Sequence, residues 1–366
     1  MSMQANATSN FFHQYKPLDI DVLVSTRNGE TKLGQQVAVP ADENLVHFLD
    51  NSQAIFVVIG IAEDIGVMAN HGRAGASGTW NFFLSAFLNM QANKFTNAET
   101  IAVIGYFSFE DLYAEISRKS VTAHDKIAGY RHAVTIIDDA VAEMIRVVIS
   151  HKKIPVVIGG GHNNSFPLIK GAALALNSRK GINCINLDAH LDFRATEGRH
   201  SGNGFRYAKE GGFLNRYYVI GVHQNYLNDS IVHEILNHPD IDFITHEEIF
   251  IRKKKSWHKA LRSAVRFAGR RFTGVEVDLD SLSDVASSAA TPCGITTREV
   301  LQYIDHLAIH CNVGYLHICE GIASSDNTVG KLIAYLVSQF VSSFSNEHIV
   351  RRRGRIHRWH RSKSVK

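Results

Sequence analysis

INCINLDAHLD, residues 182–192, is an apolar run that ends abruptly in acid and imidazole. Ile182–Leu187 is short, rich in isoleucine and without charge, which is how a strand buried on both faces reads. Asp188, His190 and Asp192 follow it directly. In an extended chain, residues two apart point the same way. The three polar side chains are therefore expected on one face, with Ala189 and Leu191 on the other. Two carboxylates and an imidazole are costly to bury unless something positive compensates them, and a metal ion does so directly.

Working outward, two further apolar runs end in the same chemistry. IPVVI (154–158) runs into Gly159-Gly160-Gly161-His162-Asn163-Asn164, and GVEV (274–277) runs into Asp278-Leu279-Asp280. Glycines let the backbone turn tightly before His162. The same period-two logic brings Asp278 and Asp280 together, where like charges repel unless a cation sits between them. A glycine turn with a histidine, or an isolated DxD, is common on solvated surfaces, so the weight lies in the convergence. Together the strand ends offer His162, Asp188, His190, Asp192, Asp278 and Asp280. Oxygen and imidazole donors without thiolate favour Mn2+, and Zn2+, Ni2+ and Fe2+ are compatible with the same set. Six ligands exceed the usual protein complement of one ion, and carboxylates bridge. Two ions about 3.5 Å apart are the natural reading.

The rest of the chain supports a sheet that would carry these ends. Apolar runs recur at Ala54–Ile61, Thr100–Gly105, Arg216–Gly221 and Gly314–Ile318. Between the runs, Ala133–His151, Lys259–Phe267, Thr296–Leu307 and Lys331–Phe344 carry apolar residues at helical spacing. Strand alternating with helix predicts an α/β fold: a single three-layer α/β/α domain with a mostly parallel sheet. Ligands of such sheets sit at the carboxyl ends of the strands. The expected organisation is a flexible N-terminus over 1–17, the metal-binding α/β domain over 18–345, and a basic, disordered tail over 346–366.

Charge and cysteine usage exclude some classes. From Arg351 onward there are six Arg and two Lys and no acid, so removing those eight charges from the net +4 leaves the remainder at −4. A basic tail could bind nucleic acid in a salt-dependent way, but a solvated tail is the preferred reading. The N-terminus lacks a basic segment followed by an apolar one, and the most apolar stretches fall short of the roughly 20 residues that span a bilayer. No membrane association is expected. Cys184, Cys293, Cys311 and Cys319 show no CxxC pairing, which suits a reducing, cytoplasmic setting and argues against a thiolate zinc site.

GGGHNN, NLDAHLDFR and VDLD, in this order and spacing, resemble the three metal-binding motifs of the arginase, agmatinase and formimidoylglutamase superfamily. GIAEDIGVMANHGRAGASGTW (60–80) and EGRHSGNGFRYA (197–208) are similar to the formimidoylglutamase branch. The resemblance implies an arginase-like fold and two Mn2+ per chain. One ion would be held by His162, Asp188, Asp192 and Asp278, the other by His190, Asp188, Asp278 and Asp280. It also implies that Glu320, after YLHIC, holds the cationic nitrogen of the substrate. Asp192 would orient the nucleophile and carry a proton to the leaving nitrogen, with His200 a second candidate carrier. His200 stands one residue before the position of the His-Gly step found in arginases.

The implied reaction is hydrolysis of a linear amidine, N-formimidoyl-L-glutamate giving L-glutamate and formamide, as in histidine degradation. Arg194 and Arg73 are candidates for the substrate carboxylates, because guanidinium forks suit carboxylates. Asn203 and Ser201 are candidates for its other polar groups. The runner-up within the class is an arginase, agmatinase or guanidino-acid hydrolase releasing urea. A metal-free relative kept as a structural partner is disfavoured, since every ligand position holds a competent residue. The resemblance also implies a homo-oligomer.

Overall fold

The structure, a computed structural model, describes residues 10–344. Nine strands form one sheet: β1 (Phe12–Gln14), β2 (Phe56–Ala62), β3 (Ile101–Ser108), β4 (Ile154–Ile158), β5 (Ile182–Leu187), β6 (Leu214–Val222), β7 (Ile241–Thr245), β8 (Phe272–Asp278) and β9 (Asn312–Cys319). Their order across the sheet is β1-β3-β2-β4-β9-β8-β5-β6-β7. Every pairing is parallel except β1 with β3. The expected α/β architecture is what the chain adopts.

Alternation along the strands feeds two apolar layers. On β2, Phe56 and Val58 enter one core, and Val57, Ile59 and Ile61 enter the other. The first core is closed by α1 (Thr79–Leu88), α4 (Trp257–Ala268), α5 (Thr297–His310) and α6 (Thr328–Ser343). The second is closed by α2 (Ala123–Ser150) and α3 (Ser165–Ala175). Helix α2 starts ten residues before the apolar periodicity does. A reciprocal cap sets that start: Thr122 Oγ1 accepts from Asp125 N at 3.1 Å, and Asp125 Oδ2 accepts from Thr122 N at 2.9 Å. Thr296 and Glu299 open α5 in the same way.

The N-terminal expectation needs correction. Within the segment 1–17, residues 12–14 form β1 and pair antiparallel with β3 at the sheet edge. Phe12 packs edge-on against Phe107 at 5.0 Å, Phe11 lies 5.1 Å from Phe109, and Trp80 Nε1 donates to Tyr15 Oη at 3.1 Å. Three aromatic anchors outweigh a polar average. Gly105 makes room for them, since a Cβ there would lie 2.1 Å from His13 O. The basic tail over 346–366 lies outside the described residues. Among the described residues, no helix is long and apolar enough to cross a membrane.

Candidate metal centre

Parallel strands place all their C-termini along one edge, so β4, β5, β8 and β9 deliver their following residues to one place. After β4 the chain turns through Gly159 (φ 90°) and Gly160 (φ 75°), conformations that favour glycine. Glu63, just past β2, pins this turn. Its carboxylate accepts from Gly161 N at 3.1 Å, Asn164 Nδ2 at 2.6 Å, Asn163 Nδ2 at 3.2 Å and Gly66 N at 3.2 Å. His162 then projects from a turn that three hydrogen bonds to Glu63 hold in place, and it is fully buried.

Strand β5 stops at Leu187, so the strict alternation expected over 188–192 does not extend that far. The chain bends instead. Asp188 Oδ1 accepts from His190 N at 2.7 Å, and Asp192 sits in the left-handed region at φ 46°. The bend, rather than a shared strand face, turns Asp192 back toward Asp188. β8 likewise ends at Asp278, whose Oδ1 accepts from Asp280 N at 2.7 Å. Glu320, after β9, is also left-handed at φ 64°. Non-glycine residues in such conformations cost about 1 kcal/mol or more each, and they concentrate at functional sites.

These turns converge. His162 Nδ1 lies 2.9 Å from Asp192 Oδ2, 3.0 Å from Asp278 Oδ2 and 3.3 Å from Asp188 Oδ2. One ring nitrogen carries at most one hydrogen, so it cannot satisfy three carboxylate oxygens. Donor atoms from these four residues all lie within 4.8 Å of one another. That donor set fits a cation. His190 Nδ1 stands 3.5 Å from Asp188 Oδ1, and Asp280 is held by Ala289 N at 2.9 Å. Taking each such charge out of water costs several kcal/mol, so the two apolar layers must offset it. Without a cation three of the carboxyls, those of Asp192, Asp278 and Asp280, resist ionising, whereas, against its burial, hydrogen bonds from His162 and His190 hold that of Asp188 well below the usual carboxylate range. Burial, then the charges of Asp280 and Asp188, push Asp278 well above the usual carboxylate range. Burial acts against the charged form of His190, yet Asp188 holds that imidazole up at about 10.

A cavity of about 970 Å3 opens over this cluster, with His190, Asp192, Asp278, Asp280 and Glu320 at its floor. Glu320 Oε1 accepts from His162 N at 2.6 Å, whereas its buried Oε2 has no hydrogen-bond partner among the described residues. Burial, then Asp280, raises its carboxyl to about 8. Arg194 and Ser201 line the wall, and Asn70 Nδ2 donates to Ser201 Oγ at 3.2 Å. Arg194 has no acidic partner among the described residues. Arg206, also on the wall, is already paired with Glu234 through bonds of 2.9 and 2.7 Å.

Three sequence candidates do not reach the cavity. His200 is buried with both nitrogens engaged: Nδ1 accepts from Gly202 N at 3.1 Å, and Nε2 meets Glu197 Oε1 at 3.2 Å. Burial lowers its pKa to about 4, which leaves it a poor proton carrier near neutrality. Asn203 spends its amide inside the same loop, accepting from Arg199 Nη1 and His200 N and donating to Ala195 O and Gly198 O. Arg73 is exposed and lies outside the cavity lining. Loop side chains carry no periodicity that fixes their direction, so inward-turned His200 and Asn203 could not be told from outward ones.

The site has further contributors. Glu63 follows the apolar run of β2, so its position in the sequence marks it in the same way as the ligand candidates. Arg199 anchors the 194–205 loop through Asp138 at 2.8 Å and Asn163 O at 2.7 Å. Tyr226 stacks on the His190 ring at 5.0 Å and 16°. No sequence spacing announces that contact.

Residues 55–342 match the family model described as "Arginase family". A formimidoylglutamase of Streptococcus pyogenes is 24% identical over 267 residues, covering 69% of this chain and 73% of that protein. A formiminoglutamase variant of Trypanosoma cruzi, solved with Mn2+, superposes with a TM-score of 0.67 at 21% identity, covering 87% of this chain and 99% of that one. Bacillus subtilis formimidoylglutamase gives 0.66 at 18% identity, covering 87% and 94%. At these identities the structural likeness carries the fold, and the family model spans every strand end that bears a ligand candidate. The chain belongs to the arginase family.

Proposed function

We propose that this protein is a binuclear-metal hydrolase of a linear amidine, converting N-formimidoyl-L-glutamate and water to L-glutamate and formamide. The observation that carries the reading is His162 Nδ1 set against three carboxylates, of which Asp192 and Asp278 line a cavity together with Glu320. His162, Asp188, Asp192 and Asp278 would hold one Mn2+, and His190, Asp188, Asp278 and Asp280 the other. Such a pair of ions lowers the pKa of water and makes hydroxide available near neutral pH.

The side chains supply the rest. Glu320 Oε2, buried and unpartnered, would accept a hydrogen bond from the cationic formimino nitrogen and fix the orientation of its carbon. Asp192 would orient the attacking oxygen and deliver a proton to the leaving nitrogen. His200 is left out of this scheme. Arg194, the wall cation without an acidic partner, would take a substrate carboxylate, with Ser201 beside it. The relatives called formimidoylglutamase support the substrate class. The four cysteines, with no CxxC pairing, suit a reducing, cytoplasmic setting. A homo-oligomer is part of the same reading and rests on the family resemblance.

The second reading is a guanidino substrate. The wall acids that would suit its cationic tail, Glu210 and Glu234, both pair with Arg206, at 3.7 and 2.7 Å. Incubating Mn2+-loaded protein with N-formimidoyl-L-glutamate, L-arginine, agmatine and guanidinobutyrate separates the two. Formamide from the first alone is expected. Urea from a guanidino compound would overturn the substrate and leave the metal reading standing.

A further inference from the structure

Behind the metal cluster, on the side of His162 away from the carboxylates, lies a second polar group that the proposed reaction does not use. Glu276 is the third-last residue of β8, fully buried between the two apolar layers. Its Oε1 accepts from Tyr315 Oη at 2.7 Å. Its Oε2 meets His317 Nδ1 at 2.6 Å, and His317 Nε2 lies 3.4 Å from Gly159 O, at the start of the glycine turn. Tyr303 Oη donates to the Glu276 backbone carbonyl at 2.9 Å. A carboxylate this deep in a sheet is expensive, and its partners leave one interaction open. His162 Nε2 is buried without a hydrogen-bond partner among the described residues, and Glu276 Oε2 faces it at 3.7 Å, just beyond hydrogen-bond length.

The two nitrogens of His162 therefore face opposite demands. Nδ1 is turned to Asp188, Asp192 and Asp278, where a ligand nitrogen must offer a lone pair. Nε2 must then carry the hydrogen, in a buried place where only a negative or accepting group favours it. We infer that Glu276 is the positioning residue of the metal centre: it keeps the His162 hydrogen on Nε2, and so keeps Nδ1 free to bind an ion. Carboxylates behind ligand histidines act this way in general, fixing the tautomer and raising ligand basicity. This chain builds the device from β8 itself, so that one strand supplies both the ligand Asp278 and, two residues earlier, the group that prepares His162. His317 and Cys319 also approach His162, with donor atoms within 4.8 Å. Cys319 is a neutral alternative acceptor, and its removal serves as the control.

The inference rests on the reading that His162 binds metal. Its test is Mn2+ affinity, measured as free Mn2+ by electron paramagnetic resonance in titrations of the full chain, alongside thermal melting of the chelated protein. Glu276→Ala should weaken binding of the ion held by His162 by about 10- to 100-fold. Glu276→Gln keeps the volume and an accepting oxygen but not the charge, and should fall between Ala and wild type. Tyr315→Phe and Cys319→Ser should bind Mn2+ within about twofold of wild type, whatever they do to melting. If Glu276→Ala does not fold, the isosteric Glu276→Gln carries the test. Wild-type affinity in both Glu276 variants would overturn the inference and leave the metal centre intact. An equal loss in Tyr315→Phe would also overturn it, by showing that the group only supports the fold. A wild-type chain that binds no Mn2+ would overturn both this inference and the reading beneath it.

Discussion

Under the cavity, His162 and Asp188 lie buried with Asp278, which lines it, where the chain leaves β4, β5 and β8, whereas Arg194 and Tyr226 on the wall stand in solvent. The floor is determined by many contacts at once. Glu63 holds the glycine turn with three hydrogen bonds, and Asp188 and Asp278 each bind the backbone two residues on. The wall is held from behind, by Arg199 and Asn203, while the side chains facing the cavity make few contacts of their own. A rigid floor suits chemistry that needs fixed charges, and a lightly held wall suits recognition that differs between substrates.

Substitutions should break this contrast in order of depth. Asp278→Asn removes a shared ligand and should abolish turnover, by more than the roughly 100-fold typical of losing an outer partner. Metal content by mass spectrometry should fall with it, and a variant that keeps both metal and activity would detach the floor from the chemistry. Glu320→Gln should lower kcat by about 10- to 100-fold, the worth of a hydrogen bond of roughly 1.5–3 kcal/mol to a charged group, with metal content unchanged. Arg194→Ala should act on KM for the glutamate-tailed substrate by about 10-fold or more on the same scale, leaving kcat nearly unchanged. Arg73→Ala, exposed and outside the cavity, should change either constant by about twofold at most.

The same contrast has a pH signature. Glu320 titrates at about 8 in the metal-free protein, above the ordinary value of 4.5, chiefly because it is buried. A carboxyl raised on folding binds more protons folded than unfolded between those values. Its contribution to stability is therefore complete below about 4.5 and is lost as pH rises through about 8. Chelated protein should melt at a lower temperature at pH 8 than at pH 5, and Glu320→Gln should flatten that slope. Adding Mn2+ should restore stability at pH 8, because a cation favours the ionised cluster. A melting temperature that rises with pH in the chelated protein would contradict the cause assigned here.

Strands β2 to β6, β8 and β9 were legible because each is a short apolar run bounded by glycine or polar residues. β7 was not, since IDFIT is brief and half polar, and β1 was hidden in a polar segment whose aromatics find partners only across the sheet. The six ligand candidates were legible for a different reason: their residue types make sense only if something positive lies between them. The route by which they meet was not, because a bend at Asp192 replaces the extended geometry that alternation assumes. On the loops the reading failed where it depended on side-chain direction. Arg194 and Ser201 line the cavity, whereas His200 and Asn203, a few residues away, turn inward to make the loop itself.

The central claim, that this floor is a two-metal hydrolytic centre, is tested most directly by following formamide release from N-formimidoyl-L-glutamate as chelated protein is titrated with Mn2+. The account predicts no release before metal is added and a rate that saturates at two equivalents per chain. Release that persists in the fully chelated protein, or none once two Mn2+ are bound, would contradict it.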